Sequence, residues 1–173
     1  MKDNLKIAKT LIEALPYIQK FRGKTVVLKF GGSISSKEFA NFSRDLVLMK
    51  FVGINPVVVH GGGIEITKAL SSSNIKATFV NGLRVTCDKT MEIVEKVLVG
   101  KVNKQIVSKI KSNGGVSIGL SGRDHQLLKV KKVKTPKKGI DLGRVGEIIK
   151  VNVSHIFELQ NKGYIPVIAP IGL

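Results

Sequence analysis

With 173 residues, 43% of them hydrophobic, the chain can bury the core of one α/β domain. No apolar stretch approaches the roughly 18 residues that span a membrane, and Lys2, Asp3, Lys6 and Lys9 interrupt any secretion-signal core at the amino terminus. The net charge of +17 invites polyanions, yet its densest patch (Lys129, Lys131, Lys132, Lys134, Lys137, Lys138) has no interleaved aromatics and no zinc-finger spacing, which argues against nucleic acid.

Residues 3–21 show helical periodicity through Leu5, Ala8, Leu11, Ile12, Leu15 and Ile18. Pro16 removes one N–H and crowds the carbonyl of Ile12, so a kink or break is expected there. The apolar face of this helix predicts packing on another subunit, or a fold back over its own domain. Val26-Val27-Leu28-Lys29-Phe30 then runs into Gly31-Gly32 and reads as a parallel strand buried on both faces. Ser35 and Glu38 stand in capping-box register for a helix carried by Phe39, Phe42, Leu46 and Met49. After Gly53, Asn55-Pro56 opens a second strand, Val57-Val58-Val59-His60, which ends in Gly61-Gly62-Gly63. A helix follows from Ile64 to Leu70, and its first-turn amides face whatever the glycines admit.

Asn81-Gly82, between Phe79-Val80 and Leu83, predicts a hairpin with Arg84 just beyond its turn. Cys87, the single cysteine, excludes an internal disulfide, fits a reducing cytoplasm and is expected to be small and partly buried. Asp88 is placed as the cap of a long helix through Met91, Val94, Val97, Leu98, Ile106, Val107 and Ile110, ending at Asn113-Gly114-Gly115. Gly115 to Leu120 reads as a third buried strand, with Ser121-Gly122-Arg123-Asp124 as its exit. Leu127 to Lys134 and Gly146 to Val151 are extended segments around a lysine- and glycine-containing loop. Ser154 is placed as the cap of a final helix ending at Gly163, before a last strand from Tyr164 to Ala169. The alternation predicts an α/β fold: a three-layer α/β/α sandwich with a mainly parallel open sheet.

Glycines just past a strand let backbone N–H groups approach a ligand, because no Cβ intervenes. Two such turns, with Lys29 at one of them and Arg84 nearby, predict a crevice for an anionic substrate at the carboxyl ends of the strands. Neither the dinucleotide GxGxxG turn nor GxxxxGK[ST] occurs, and no serine elbow or metal-ligand cluster is present. His60, His125 and His155 are scattered along the chain. Donors without a base suit a nucleophile that is already ionised, such as a carboxylate attacking a phosphoryl group. Taken alone, Arg84 reads as an ordinary hairpin charge, and Lys29 stands evenly between a solvated strand end and a phosphate contact.

The chain resembles the N-acetyl-L-glutamate kinases of the amino acid kinase superfamily. The resemblance is carried by Ala14-Leu15-Pro16-Tyr17-Ile18, Lys29-Phe30-Gly31-Gly32, His60-Gly61-Gly62-Gly63 and Asn81-Gly82-Leu83-Arg84-Val85-Thr86. It continues in Leu98-Val99-Gly100-Lys101-Val102-Asn103-Lys104, Gly119-Leu120-Ser121-Gly122 and Val145-Gly146-Glu147. Lysine before two glycines is common in the superfamily; the NGLRVT hairpin together with LVGKVNK is the specific part. Ile64 departs from a usual proline, and Ser33-Ile34 from a frequent Asn-Ala, without removing a donor.

The resemblance implies transfer of the ATP γ-phosphate to the side-chain carboxylate of N-acetyl-L-glutamate, the second step of arginine biosynthesis, with ATP and Mg2+ as co-substrate and no resident metal. It implies that Lys29 stabilises the transferring phosphoryl group, beside a phosphate-contacting loop of Gly31, Gly32 and Gly61. Gly62, Gly63 and Arg84 would hold the substrate. Residues 1–22 would form an oligomerisation helix of the arginine-sensitive branch, making a homo-oligomer, dimer or hexamer. Residues 23–173 would form the acetylglutamate-binding lobe of a cytoplasmic enzyme. The ATP-binding lobe expected after this segment is absent from the sequence, so little phosphotransferase activity is expected from the 173-residue chain alone. The alternatives are a catalytically dead sensor of acetylglutamate or arginine and, further off, a basic nucleic-acid-binding module. A sister kinase for another carboxylate should lack the NGLRVT hairpin.

Overall fold

The computed structural model describes residues 2–31, 36–133 and 141–173. In chain order the elements are α1 (Lys2–Phe21), β1 (Thr25–Phe30), α2 (Ser36–Phe51), β2 (Asn55–His60), α3 (Gly63–Ser72), β3 (Phe79–Val80), β4 (Leu83–Arg84) and α4 (Asp88–Glu95). A π-helical segment, Lys96–Asn103, joins α4 to α5 (Lys104–Ser112). Then come β5 (Ser117–Ser121), β6 (Leu128–Lys132), β7 (Gly146–Val151), α6 (Ser154–Asn161) and β8 (Ile165–Ala169). The central sheet is fully parallel, in the order β1-β2-β8-β5.

Alternation along these strands sends apolar side chains to both faces, and helices cover the two faces unequally. On one face Phe30, Val58 and Val167 pack with Leu46 of α2, Leu70 of α3, Leu98 and Val102 of the π segment, and Ile106 and Ile110 of α5. On the other, Val57, Leu120 and Ile168 meet Leu127 and, among the described helices, only α6, through Ile156 and Leu159. Two helical layers around one sheet make the expected sandwich.

The single helix on the second face explains a departure from expectation at β1. That strand lies at the sheet edge, and Val27, in register with Val57, is 66% exposed. The run is therefore not buried on both faces; β2, three of whose residues are buried in succession, is the strand of that kind. Helix α1 continues through Pro16 without breaking. Its apolar residues Leu5, Leu11, Ile12 and Leu15 stay exposed, so it does not fold back over its own domain.

Other local expectations are corrected by specific partners. Asp88 does not cap α4: Cys87 occupies that position in extended conformation, and the Asp88 carboxylate accepts from Arg144 Nε at 2.6 Å. Cys87 itself is exposed rather than partly buried. Ser154 starts α6, and its N–H donates to Asn152 Oδ1 at 3.3 Å, so the capping oxygen comes from two residues upstream. The hairpin is as expected, with Asn81 and Gly82 at φ 51° and 78°, the left-handed pair of a tight two-residue turn. β6 and β7 pair antiparallel. Gly32, Ser33, Ile34 and Ser35, and Lys134, Lys137 and Lys138, lie outside the described residues.

One buried polar group ties the sheet to its helices where β2, β8 and β5 converge. Asn103, the last residue of the π segment and 3% exposed, points Nδ2 at Val167 O (2.8 Å), His60 Nε2 (3.1 Å) and Leu120 O (3.4 Å). Gly119 makes this possible, since a Cβ there would collide with the Asn103 side chain. His60 is 1% exposed, and its Nδ1 lies 3.0 Å from Gly61 O, which can only accept. The ring therefore carries its proton on Nδ1 and accepts Asn103 N–H at Nε2. A second proton would set Nε2–H against an N–H donor. Burial likewise pulls the His60 pKa below its ordinary value, against a smaller upward pull from the Gly61 carbonyl.

Two outcomes check this architecture. Leu70→Ala, in a fully buried side chain, should cost about 2–5 kcal/mol in urea unfolding, while Val27→Ala stays within about 0.5 kcal/mol. Because His60 is held neutral in the fold, its contribution is intact above the unfolded-state pKa of about 6.5 and declines as pH falls below it. Unfolding free energy measured from pH 8 to pH 5 should drop more steeply for the wild type than for His60→Gln; equal slopes would contradict a neutral, buried ring.

Candidate functional site

Gly31 and the turn Gly61-Gly62-Gly63 follow the carboxyl ends of neighbouring parallel strands, the usual place for a ligand in an open α/β sheet. The Gly61 N–H donates to Phe30 O at 3.0 Å, so the second turn is strapped to the end of β1. Gly62 then leads straight into α3. A Cβ at 62 would sit 2.7 Å from Leu98 Cδ2, so the absence of a side chain lets this turn rest on the π segment without displacing Leu98. Among the described residues no group accepts from the Gly62 or Gly63 amide. They are orphan donors at the positive end of a helix dipole.

Arg84 is brought to the same helix terminus from β4. Its Nη2 donates to Thr67 Oγ1 at 2.9 Å and to Gly63 O at 3.3 Å, and its guanidinium lies 4.5 Å from the centre of the Phe79 ring. Nη1 is enclosed and has no acceptor among the described residues. Burial lowers the Arg84 pKa from its usual value, as expected for a cation that has lost water without gaining a counter-charge. Nearby, Glu65 in the first turn of α3 accepts from Lys101 at 2.6 Å and from Lys68 at 3.2 Å, and these bonds, Lys101 first, hold its carboxyl below the usual range.

Lys29 is placed differently. It is exposed, in register with Val59 on the α6 face of the sheet, whereas Phe30 and His60 turn to the other face. Gly31 follows β1 as open backbone, and Gly61 is half-buried. Arg84, Gly62 and Gly63 are thus gathered at one helix end, and Lys29 reaches that edge from the opposite side. A cleft of about 1410 Å³ lies beside this group rather than over it. Val85, Cys87, Leu98, Arg123, Val130 and Leu173 are among its lining residues, while Lys29, Gly62 and Arg84 are not. Its charged rim is largely self-paired, Arg123 Nη1 with both oxygens of Glu95 (2.9 and 2.8 Å) and Arg144 with Asp88.

The remaining histidines are less scattered in space than in sequence: His125 and His155 stack with ring centres 3.6 Å apart, on the α6 side. Among the described residues no group of three His, Cys, Asp or Glu side chains could hold a metal ion, and no helix is long and apolar enough to cross a membrane. The residue that sequence reasoning passed over is Asn103. It occupies the apolar stripe Val99, Asn103, Ile106, Ile110, and a lone amide in such a stripe is a legible sign of a buried polar contact.

Comparison with known proteins agrees with this geometry. Residues 24–173 match the amino acid kinase family model. Acetylglutamate kinase of Carboxydothermus hydrogenoformans is 55% identical over 99% of this chain and 61% of its own length. The Methanocaldococcus jannaschii acetylglutamate kinase is 50% identical over 100% and 61%. The chain thus spans about three-fifths of the length of the curated relatives it matches. Among solved structures, N-acetylglutamate synthase from Neisseria gonorrhoeae, complexed with coenzyme A and N-acetyl-glutamate, superposes with a TM-score of 0.80 at 22% identity, over 95% of this chain and 38% of that one; it supports the fold. A parallel sheet whose carboxyl edge carries Gly31 and the turn Gly61-Gly62-Gly63, and a sequence that matches the family model from residue 24 onward, make this chain a member of the amino acid kinase family.

Proposed function

We propose that this chain supplies the acceptor-binding part of a kinase that phosphorylates the side-chain carboxylate of N-acetyl-L-glutamate. The observation that carries the reading is a set of donors at one helix end that have no acceptor among the described residues: Arg84 Nη1, which is enclosed, and the amides of Gly62 and Gly63. A carboxylate is the ligand that such a set completes, because each donor then exchanges an empty environment for a charge-assisted bond. Relatives about 50–55% identical are named acetylglutamate kinase, which selects this carboxylate from the possible ones.

In this reading Arg84 and the Gly62 and Gly63 amides orient the acceptor, whose ionised side-chain carboxylate is the nucleophile. Lys29, with Gly31, Gly32 and Gly61, neutralises charge on the phosphoryl group as it transfers. No general base is required. ATP is the donor and brings Mg2+ as its counter-ion; it is substrate, not a resident group. The work of the protein is alignment and charge neutralisation, so positioned donors suffice. Residues 1–22 form a separate oligomerisation element, because the exposed apolar stripe of α1 needs cover that a second copy of the chain provides. Residues 23–173 form the acceptor-binding lobe, and the setting is cytoplasmic.

Calorimetry decides the point. N-acetyl-L-glutamate should bind the purified chain, and Arg84→Ala should weaken it at least about 30-fold, the roughly 2 kcal/mol lost when one partner of an enclosed charge pair is removed. Unchanged affinity in a folded Arg84→Ala would sink the site.

A further inference from the structure

We propose that His60 and Asn103 are positioning residues that fix the direction of the Gly62 amide, so that a hydrogen-bonded chain from the buried helix to the glycine turn sets the aim of a substrate donor. The link to substrate rests on the acceptor-site reading above; the link to the amide stands on the geometry alone.

Asn103 Nδ2 has two hydrogens. Its two nearest acceptors are Val167 O at 2.8 Å and His60 Nε2 at 3.1 Å. The first bond anchors the amide to β8, and the second fixes the imidazole as the Nδ1–H tautomer, which donates to Gly61 O. The Gly61–Gly62 peptide is planar and trans, so its carbonyl and its N–H point to opposite sides. Holding the Gly61 oxygen against the buried ring therefore turns the Gly62 N–H away from the core, where no described residue accepts from it.

Three glycines in a row would otherwise leave this peptide free to rotate. Two further contacts limit its escape: Gly61 N–H is strapped to Phe30 O, and Gly62 rests on Leu98. Both Leu98 and Asn103 belong to the π segment, a departure from α-helical winding that recurs at functional sites. The extra width of that segment presents an amide to three strand ends at once. An apolar residue at 103 could fill the space but would leave Nε2 of the buried imidazole without a donor.

Isosteres of histidine separate aiming from mere packing. Asn in place of His60 keeps an amide N–H where Nδ1 stood; Gln places its amide where Nε2 stood. In 15N-labelled protein at pH 7, His60 should give the Nδ1–H tautomer by long-range 15N–1H correlation, and the Gly62 amide resonance should be conserved in His60→Asn but displaced in His60→Gln. N-acetyl-L-glutamate affinity should stay within about threefold for His60→Asn and fall at least about tenfold for His60→Gln. Asn103→Asp, which removes the donor, should shift His60 away from the Nδ1–H form. An Nε2–H tautomer in the wild type, or identical Gly62 resonances in the two His60 variants, overturns the proposal. If the wild type binds no N-acetyl-L-glutamate, the acceptor reading alone fails and the Gly62 resonances still decide the aiming. Should Asn103→Asp not fold, the His60 pair decides by itself.

Discussion

The bond between the Asn103 amide and the His60 ring is the constraint on which the rest of the functional edge depends. In a parallel sheet the strand ends are held only by their neighbours and by the helices that cross them. Here a single side chain contacts β2, β8 and β5 together, and that side chain belongs to the helix that also supports Gly62 through Leu98. A buried amide and a buried imidazole would each be costly alone, because neither recovers its lost water. Bonded to each other and to Gly61 and Val167, they become a rigid element whose geometry is determined by which atom must donate. Fold and site are therefore set by the same contacts.

The donors at the site are neutral amides and one guanidinium, and their surroundings keep them available. Glu65 sits in the first turn of α3, where a carboxylate would normally satisfy the helix end and compete with an anionic ligand. It is instead drawn to Lys101 and Lys68. The pairs are exposed, so their contribution to stability is small. Their consequence is local: the negative charge closest to the glycine turn is neutralised by side chains that do not themselves bond to the turn. Arg84 anchors one nitrogen on Thr67 and Gly63 and leaves the other uncommitted, which orders the guanidinium before any ligand arrives.

Much of the fold was legible because its signals are local. The two apolar runs ending in glycines, the Asn81-Gly82 turn and the 3.6-residue stripes each specify an element from adjacent residues. What escaped was decided by partners far away in sequence. Nothing near Val27 announces that β1 lies at the sheet edge with little cover on one face. Asp88 looks like a cap until Arg144 takes its carboxylate, and the stack of His125 on His155 joins segments that only the fold brings together. The site divides in the same way. Gly62 and Gly63 could be nominated from turn chemistry, Arg84 only through the resemblance that its NGLRVT hairpin carries, and they meet at one helix end. That Lys29 approaches from the other face of the sheet follows from strand register, which a single run of residues does not reveal. Asn103 hid inside a motif because a polar residue in an apolar stripe has meaning only once its acceptors on β2, β5 and β8 are known.

The large positive charge stands apart from this chemistry. A ligand carboxylate at the glycine turn is recognised over hydrogen-bond distances, whereas net charge acts over about 10 Å at ordinary ionic strength and affects encounter and solubility more than geometry. The described lysines of the β6–β7 hairpin bear this out, since Lys131 pairs with Glu147 and Lys132 with Asp141, all largely exposed. They form a solvated surface remote in sequence from both glycine turns, with no aromatic platform among them. Charge could be changed there by many residues without moving a donor at the site. The reverse does not hold: the Asn103–His60 contact carries no net charge at all, and one added proton would set Nε2–H against the Asn103 N–H and break it.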